Sequence, residues 1–375
     1  MKMRIGFSAT FESVRGCGVL LPQHPRHTWG ERERAMREGI CVAGSVLVDK
    51  VYPIEIYPPK GELTTITEGI TQSTGGALSN VIQDLARLNP KLPLQAVGLV
   101  GADEEGRFIR DEFAKYPNID LRGLRTEPDA PTAFSFVMSE NTTKQRTFFC
   151  CHGTNSLLSE QDFVWEEINA RLLHIGYILL LAHLDSPDET YGTRMARLLA
   201  RAQREGIKTS IDVVSEAGGR FRRLVPPALK YTDYCVINEF EAQEITGIRL
   251  RGKDGALYRE NMPDALSVLR SMGVAEWAVI HAPEGGFGMN CRGEFVEADS
   301  LKLPAGFIKG TVGAGDAFCA GILYAAYRGQ SLREGIILGT ASAACSLSHE
   351  SATGGVRSEA EALMVDRRYR APAGI

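Results

Sequence analysis

The sequence predicts an α/β fold: a mostly parallel central sheet with helices on both faces and a small second β-sheet at its side. Three observations predict it. From Leu172 onward, strand-like and helix-like segments alternate, the pattern of a parallel sheet covered on two faces. The glycine-rich turn Gly310-Thr311-Val312-Gly313-Ala314-Gly315-Asp316 runs directly into the apolar stretch Ala317–Leu323, which reads as a buried helix. Two strand-like runs, Thr132–Ser139, rich in Phe and Val, and Gln145–Cys151, flank a turn at Asn141 and stand apart from the alternation.

The chain has 375 residues, a net charge of −4 and 44% hydrophobic residues, enough for a full core. That charge is close to balance and implies neither a nucleic-acid nor a membrane partner. The apolar run Tyr177–Ala182 is far too short to span a bilayer. The eight cysteines are scattered, form no Cys-x-x-Cys and fall mostly in apolar runs, so a reducing, cytoplasmic setting is expected. Residues 1–38 lack the later patterning and any signal-peptide layout. They read as disordered or as a start-site extension, with Met36 a natural start.

The folded pattern begins at Ile40–Gly44, an apolar run of buried-strand type followed by Asp49. Val51–Tyr57 mixes β-branched, aromatic and proline residues, which suits an edge strand or a separate sheet; together 50–66 and 131–150 form the candidate small sheet. Thr71–Ala77 reads as a helix opening, with Val81, Leu85 and Leu88 on one face. Gly75 and Gly76 there let a ligand approach the backbone, and Asn80 lies one turn further in. Leu94–Gly101 is a strand, and Asp103 caps the next helix. Strands are then expected at Leu172–Leu181, Ile207–Val213, Tyr234–Ile237 and Trp277–His281, with a hairpin over 287–298. Helices are expected at Glu189–Glu205, from Asn238, at Asn261–Met272, and over 316–328, 331–347 and 358–368.

The Gly310–Asp316 turn holds the most chemistry. Its glycines point unpaired backbone N–H groups at one spot, a place for an anion. A carboxylate in an anion loop repels its ligand, unless it takes a proton from a hydroxyl that attacks phosphorus. Asp316 is therefore either such a base or an N-cap on a core helix. Asn80 is either a site residue or part of an exposed polar face, and Asn238 with Glu241 reads equally as a capping box. A Walker loop is absent, and each Gly-x-Gly pair lacks the third glycine of the dinucleotide fingerprint. The histidines have no metal-ligand spacing, and no serine has a nucleophile-elbow context.

Four ordered motifs resemble those of the ribokinase-like (pfkB) family of carbohydrate kinases. They are Thr74–Asn80, Val97–Gly106, Asn238–Ala242 with Thr246-Gly247, and Val312–Phe318, and the resemblance spans about 39–357. It implies a three-layer sandwich with a small β-sheet lid that closes over the substrate and often dimerises. It implies an ATP- and Mg2+-dependent kinase acting on a primary hydroxyl of a small sugar. Asp316 would be the general base, with Gly313, Ala314 and Gly315 donating N–H groups to the transferred phosphoryl. Asn238, Glu241, Thr311, Gly313 and Gly315 would organise the nucleotide, with Glu241 reaching the metal through water. Asp49, Gly75, Gly76 and Asn80 would hold the sugar. Three positions depart from the family pattern. Gly310 replaces an aspartate linked to monovalent-cation binding, so no such cation is assigned. Asp212-Val213-Val214 replaces Asp-Pro-Asn, and His281–Gly286 replaces a Lys/Thr-led glycine motif near the nucleotide. The alternatives are a nucleoside kinase of the same fold, with Phe134, Phe136, Met138, Ile54 and Ile56 facing a base, and a non-catalytic sugar- or nucleotide-binding regulator.

Overall fold

The computed structural model describes residues 37–371 except 68, 144 and 217. All but the last two residues of the 1–38 segment therefore lie outside the described residues, and so does the reading made of it.

Sixteen strands and nine α-helices follow one another among these residues. The strands are β1 (Ile40–Gly44), β2 (Leu47–Ile54), β3 (Thr71–Gly75), β4 (Leu94–Gly101), β5 (Ile119–Asp120), β6 (Leu124–Glu127), β7 (Phe134–Glu140) and β8 (Arg146–Cys151). They continue as β9 (Leu172–Ile178), β10 (Pro187–Asp188), β11 (Gly192–Thr193), β12 (Lys208–Val213), β13 (Tyr234–Asn238), β14 (Trp277–Ala282), β15 (Gly285–Asn290) and β16 (Phe295–Asp299). The helices are α1 (Ala77–Leu88), α2 (Glu104–Ala114), α3 (Arg194–Arg204), α4 (Phe221–Leu229), α5 (Glu239–Thr246), α6 (Met262–Ser271), α7 (Ala314–Tyr327), α8 (Leu332–Ser346) and α9 (Glu359–Tyr369).

The large sheet runs β16-β15-β14-β13-β12-β9-β1-β4-β5, with β6 also on β4. Its pairs from β14 through β5 are parallel, and β15 alone runs the other way, antiparallel to both β14 and β16. Alternate strand residues supply two cores. Cys41, Ala43, Leu173, Ile175, Cys235 and Ile237 pack with α3 to α6, while Ile40, Val42, Leu172 and Val236 pack with α1, α2 and α7 to α9. This two-sided burial explains why the strands read as unbroken apolar runs.

From β1 the chain goes to β4 on one side, and from β9 it progresses through β12, β13 and β14 on the other. The order thus reverses at the β1–β9 pair, and in such sheets ligands sit beyond the strand C-termini at that reversal. The strand ends there are Gly44, Tyr177 just inside β9, Asp212, Asn238 and His281.

The small sheet runs β3-β2-β7-β8. Strand β2 starts before the 50–66 window and β3 lies wholly beyond it, while β7 and β8 fall within 134–151 against the expected 131–150; Thr71–Gly75 is thus a strand rather than a helix opening. The reason is pairing: Thr71 to Gly75 hydrogen-bond along Val51 to Leu47, a long-range contact with no local signature. Pro53 sits in β2, an inner strand, but beyond the end of β3; β7 pairs with it on one side, and on the other Thr67 N–H donates to its carbonyl at 3.0 Å, a contact that asks no N–H of the proline.

Two further expectations are corrected. The helix expected from Glu189 begins at Arg194, because Pro187–Thr193 forms a two-strand hairpin and Thr193 caps the helix through Ala196 N–H at 3.1 Å. Helix α4 was not expected at all. Its Pro226 and Pro227 would leave the carbonyls of Arg222 and Arg223 without donors, but both arginines are exposed, so water serves them.

Candidate active site

Asp316 stands in the first turn of α7 and is 6% exposed. The N-cap of this helix is Gly313, so the capping role is not Asp316's. Its Oδ2 accepts from Asn80 Nδ2 at 2.9 Å, and its Oδ1 accepts from the Tyr177 hydroxyl at 2.6 Å. Burial raises its carboxyl above the usual range, and the two hydrogen bonds oppose that rise by favouring the anion. Asn80 is itself only 4% exposed, which overrules the exposed polar face, and its Oδ1 has no partner. Helix α1 reaches this point because its opening is tied down: Ala77 N–H donates to Ser45 Oγ at 3.1 Å and Leu78 N–H to Ser45 O at 3.0 Å.

The loop before Asp316 is shaped by close backbone approach. Gly313 has φ +80°, and a Cβ there would lie 2.5 Å from Ala352 O. That turn leaves the N–H groups of Ala314, Gly315 and Asp316 without intrahelical acceptors at the start of a 14-residue helix. Gly315 faces His281, whose Cε1 would be 3.0 Å from an added Cβ. The His281 ring also packs on Phe318 at 5.2 Å, and burial holds it neutral, down to about 4. Thr311 stays exposed at the loop's start. At Gly310 a Cβ would lie 2.7 Å from His349 O and 3.0 Å from Glu350 O. On this backbone a side chain at 310 would crowd those two carbonyls.

Asn238 closes β13 and opens α5. Its Oδ1 accepts from Glu241 N–H at 2.9 Å, while its own N–H donates to Glu241 Oε2 at 3.0 Å: a complete capping box. The capping reading is thereby borne out, and the box leaves both side chains at the C-terminal edge of the sheet. Asn238 Nδ2 donates to Glu241 Oε1 at 2.8 Å, and Ser215 Oγ donates to the same oxygen at 2.8 Å. Glu241 is 3% exposed, and burial lifts its carboxyl to about 7. Asp212, at the end of β12, is pushed well up by burial and by the Glu241 and Asp316 carboxylates. Neither Asp212 nor Glu241 forms an ion pair among the described residues. A buried acidic pair of this kind fits a cation nearby. Yet no three His, Cys, Asp or Glu side chains among the described residues come together as a direct cage.

Asp49 lies on β2 and hydrogen-bonds the Ser135 hydroxyl of β7. Burial raises its carboxyl, opposed by Ser135 and by the charge of Arg146. A side chain at Gly75 would run into Asp49 Oδ2, and one at Gly76, with φ +87°, would lie 2.5 Å from Ser45 O. The two glycines thus connect the Asp49 face of the small sheet to the helix that carries Asn80. Register puts Asp49, Ser73, Ser135 and Cys150 on that face, while Phe134, Phe136 and Met138 share the opposite one with Val48, Lys50 and Tyr52.

The residues that sequence reasoning missed are Tyr177, Ser135 and Ser215. Tyr177 was absorbed into a strand drawn through to Leu181, whereas β9 stops at Ile178 and leaves the phenol at the sheet's C-terminal edge. Its only sequence signal was a polar-tipped aromatic near the end of an apolar run.

A model of the pfkB family carbohydrate kinases matches residues 37–359. An Arabidopsis thaliana ribokinase is 26% identical over 314 residues, covering 82% of this chain and 75% of the relative. The aminoimidazole riboside kinase of Salmonella typhimurium is 23% identical over 254 residues, covering 67% of this chain and 72% of the relative. Among solved structures, Arabidopsis thaliana ribokinase complexed with ribose and ATP superposes with a TM-score of 0.71 at 20% identity, covering 88% of this chain and 99% of that one. The expected ribokinase fold is thereby shown, and the chain belongs to the pfkB family of carbohydrate kinases, phosphotransferases with an alcohol group as acceptor.

Proposed function

We propose that this protein transfers the γ-phosphoryl group of ATP to a primary hydroxyl of a small sugar, with Asp316 as general base. The observation that carries the reading is a buried carboxylate, held by Asn80 and Tyr177, at the N-terminus of a helix whose first N–H groups are free for an anion.

The sugar hydroxyl gives its proton to Asp316 as its oxygen attacks phosphorus, and the bond from the γ-phosphorus to the bridging oxygen breaks to release ADP. Backbone N–H groups of Ala314 and Gly315, set by the turn at Gly313, stabilise the charge on the transferred group. Asp49, Asn80 and the bare backbone of Gly75 and Gly76 hold the sugar. The Asn238–Glu241 unit and Thr311 hold the nucleotide end. Magnesium would neutralise phosphate charge, held by the phosphates and reached by Glu241 through water. Closing the small sheet over the sugar keeps water from the phosphoryl group. The aromatic cluster of Phe134, Phe136 and Tyr52 lies on the far face from Asp49, which favours a polyol over a nucleobase as the bound group.

The test is ADP release from purified protein with ATP and magnesium over ribose, fructose, ketohexose phosphates, deoxy-sugar acids and nucleosides. Turnover with a sugar supports the reading, turnover with nucleosides alone replaces it with the nucleoside kinase, and nucleotide binding without turnover leaves a regulator.

The lid also suggests a homodimer. Its edge strand β8 carries Phe148 at 54% and Phe149 at 49% exposure, an apolar edge that a second copy would cover. Sedimentation should show a dimer that Phe148→Glu dissociates; a monomeric wild type refutes this assembly.

A further inference from the structure

We propose that Tyr177 is a positioning residue that guards the base, holding Asp316 against water until an acceptor hydroxyl arrives and so suppressing futile ATP hydrolysis. The proposal rests on the kinase reading above and deepens it.

A kinase of this kind places a carboxylate base beside the phosphorus it serves. Water is the commonest competitor for that position, and a carboxylate oxygen that faces it would activate it as readily as a sugar hydroxyl. In this structure neither Asp316 oxygen stands unattended. Asn80 holds Oδ2 through an amide, which cannot be phosphorylated in the substrate's place. The Tyr177 phenol holds Oδ1 at 2.6 Å, donating an O–H as an acceptor hydroxyl would.

The phenol stands among acidic groups. The carboxylates of Asp316 on α7, Asp212 on β12 and Glu241 on α5 all act on it, and with burial they push its ionisation well above the usual tyrosine range. It therefore stays a donor throughout the working range of pH. Other acids face this group as well: Asp84 on α1, fully buried with both oxygens unpartnered, senses Asp316, and Cys319 lies on Asp316's own helix. None of these offers Asp316 a hydrogen bond, so the burden of occupying Oδ1 falls on Tyr177.

Tyr177→Phe removes one hydroxyl oxygen and leaves a gap about the size of a water beside Oδ1. A water that enters finds a base and, with nucleotide bound, a phosphorus. Its proton passes to Asp316, its oxygen bonds to the γ-phosphorus, and ADP leaves with the electron pair of the broken bond, giving inorganic phosphate. Removing the hydrogen bond also raises the Asp316 carboxyl, since the phenol favours its anion.

The experiment needs no knowledge of the sugar. Phosphate release is measured with MgATP alone for wild type, Tyr177→Phe and the double variant Tyr177→Phe/Asp316→Asn, with MgATP affinity by calorimetry and fold by thermal denaturation. Tyr177→Phe should hydrolyse ATP roughly tenfold faster than wild type at equal affinity, with the acid limb of its pH profile moved to higher pH. The double variant should lose the gain. Enzyme carrying 3-fluorotyrosine, nearly the same shape with a stronger phenol donor, should hydrolyse no faster than wild type, which tests the idea even if the phenylalanine variant misfolds. Unchanged hydrolysis in Tyr177→Phe, a gain that survives Asp316→Asn, or faster hydrolysis in the fluorotyrosine enzyme each overturns the proposal while MgATP binding leaves the kinase reading standing. Wild-type protein that binds no MgATP overturns both.

Discussion

Asp316→Asn separates the chemistry of the base from its structural role. The replacement keeps the size of the side chain and removes its charge and its basicity. Tyr177 can still donate to Oδ1 across the 2.6 Å contact. The new amide would meet Asn80 Nδ2 donor to donor, but Asn80 Oδ1 is buried without a partner, so a flip of the Asn80 amide restores that hydrogen bond. The change also removes a buried charge that Asp84 and Asp212 both feel. The melting temperature should therefore match or exceed that of wild type. Loss of general-base catalysis is worth roughly 10²- to 10⁴-fold in rate, or about 3–5 kcal/mol of barrier. Steady-state ADP release on the best acceptor, with ATP affinity measured by calorimetry, should show kcat down by that factor and nucleotide binding retained. A kcat within about threefold of wild type would show that the proton leaves by another route and would refute the assignment of Asp316.

Gly313→Ala should lower kcat about a hundredfold through loss of the anion-binding turn: its φ of +80° and the Ala352 carbonyl 2.5 Å from the new Cβ leave the methyl no room. Gly329→Ala, at φ +70° with open space around it, should cost about 1–2 kcal/mol of stability and no kcat; equal kcat losses would discredit the loop's role. Glu241, raised to about 7 in the folded protein against an ordinary value of 4.5, keeps its proton longer than in the unfolded chain. Its contribution to stability is thus full below pH 4.5 and lost as pH rises toward 7. Binding of MgATP should restore its charge and release a proton near pH 6. Calorimetry in two buffers of different ionisation enthalpy detects that release, and identical heats, or no loss of the difference in Glu241→Gln, contradict it. Asp49→Ala should raise KM for the sugar roughly 10- to 100-fold with a smaller change in kcat, the worth of a hydrogen bond to a charged group; an unchanged KM makes Asp49 a lid-packing residue on Ser135.

The parts of this protein that were legible in the chain are those with a local cause. The central strands β1, β4, β9, β12, β13 and β14 announce themselves because burial on both faces demands unbroken apolar runs, and the capping box of Asn238 and Glu241 is written in three residues' spacing. Gly313 could be picked out because a turn against a neighbouring backbone excludes side chains wherever it occurs. Strand β3 and helix α4 were not legible. One exists through pairing with a distant strand, and the other survives its prolines only because the affected carbonyls face water.

By itself, then, the sequence determined the fold class, the glycine turn and the acid that follows it, since backbone conformation and apolar periodicity are properties of neighbouring residues. Tertiary structure alone decided what surrounds that acid. Asn80 and Tyr177 lie 236 and 139 residues away from Asp316 along the chain, and they meet it only because the sheet order reverses at the β1–β9 pair. The ionisation of Asp316 follows from that meeting, because burial and two long-range hydrogen bonds are effects of what packs around a group.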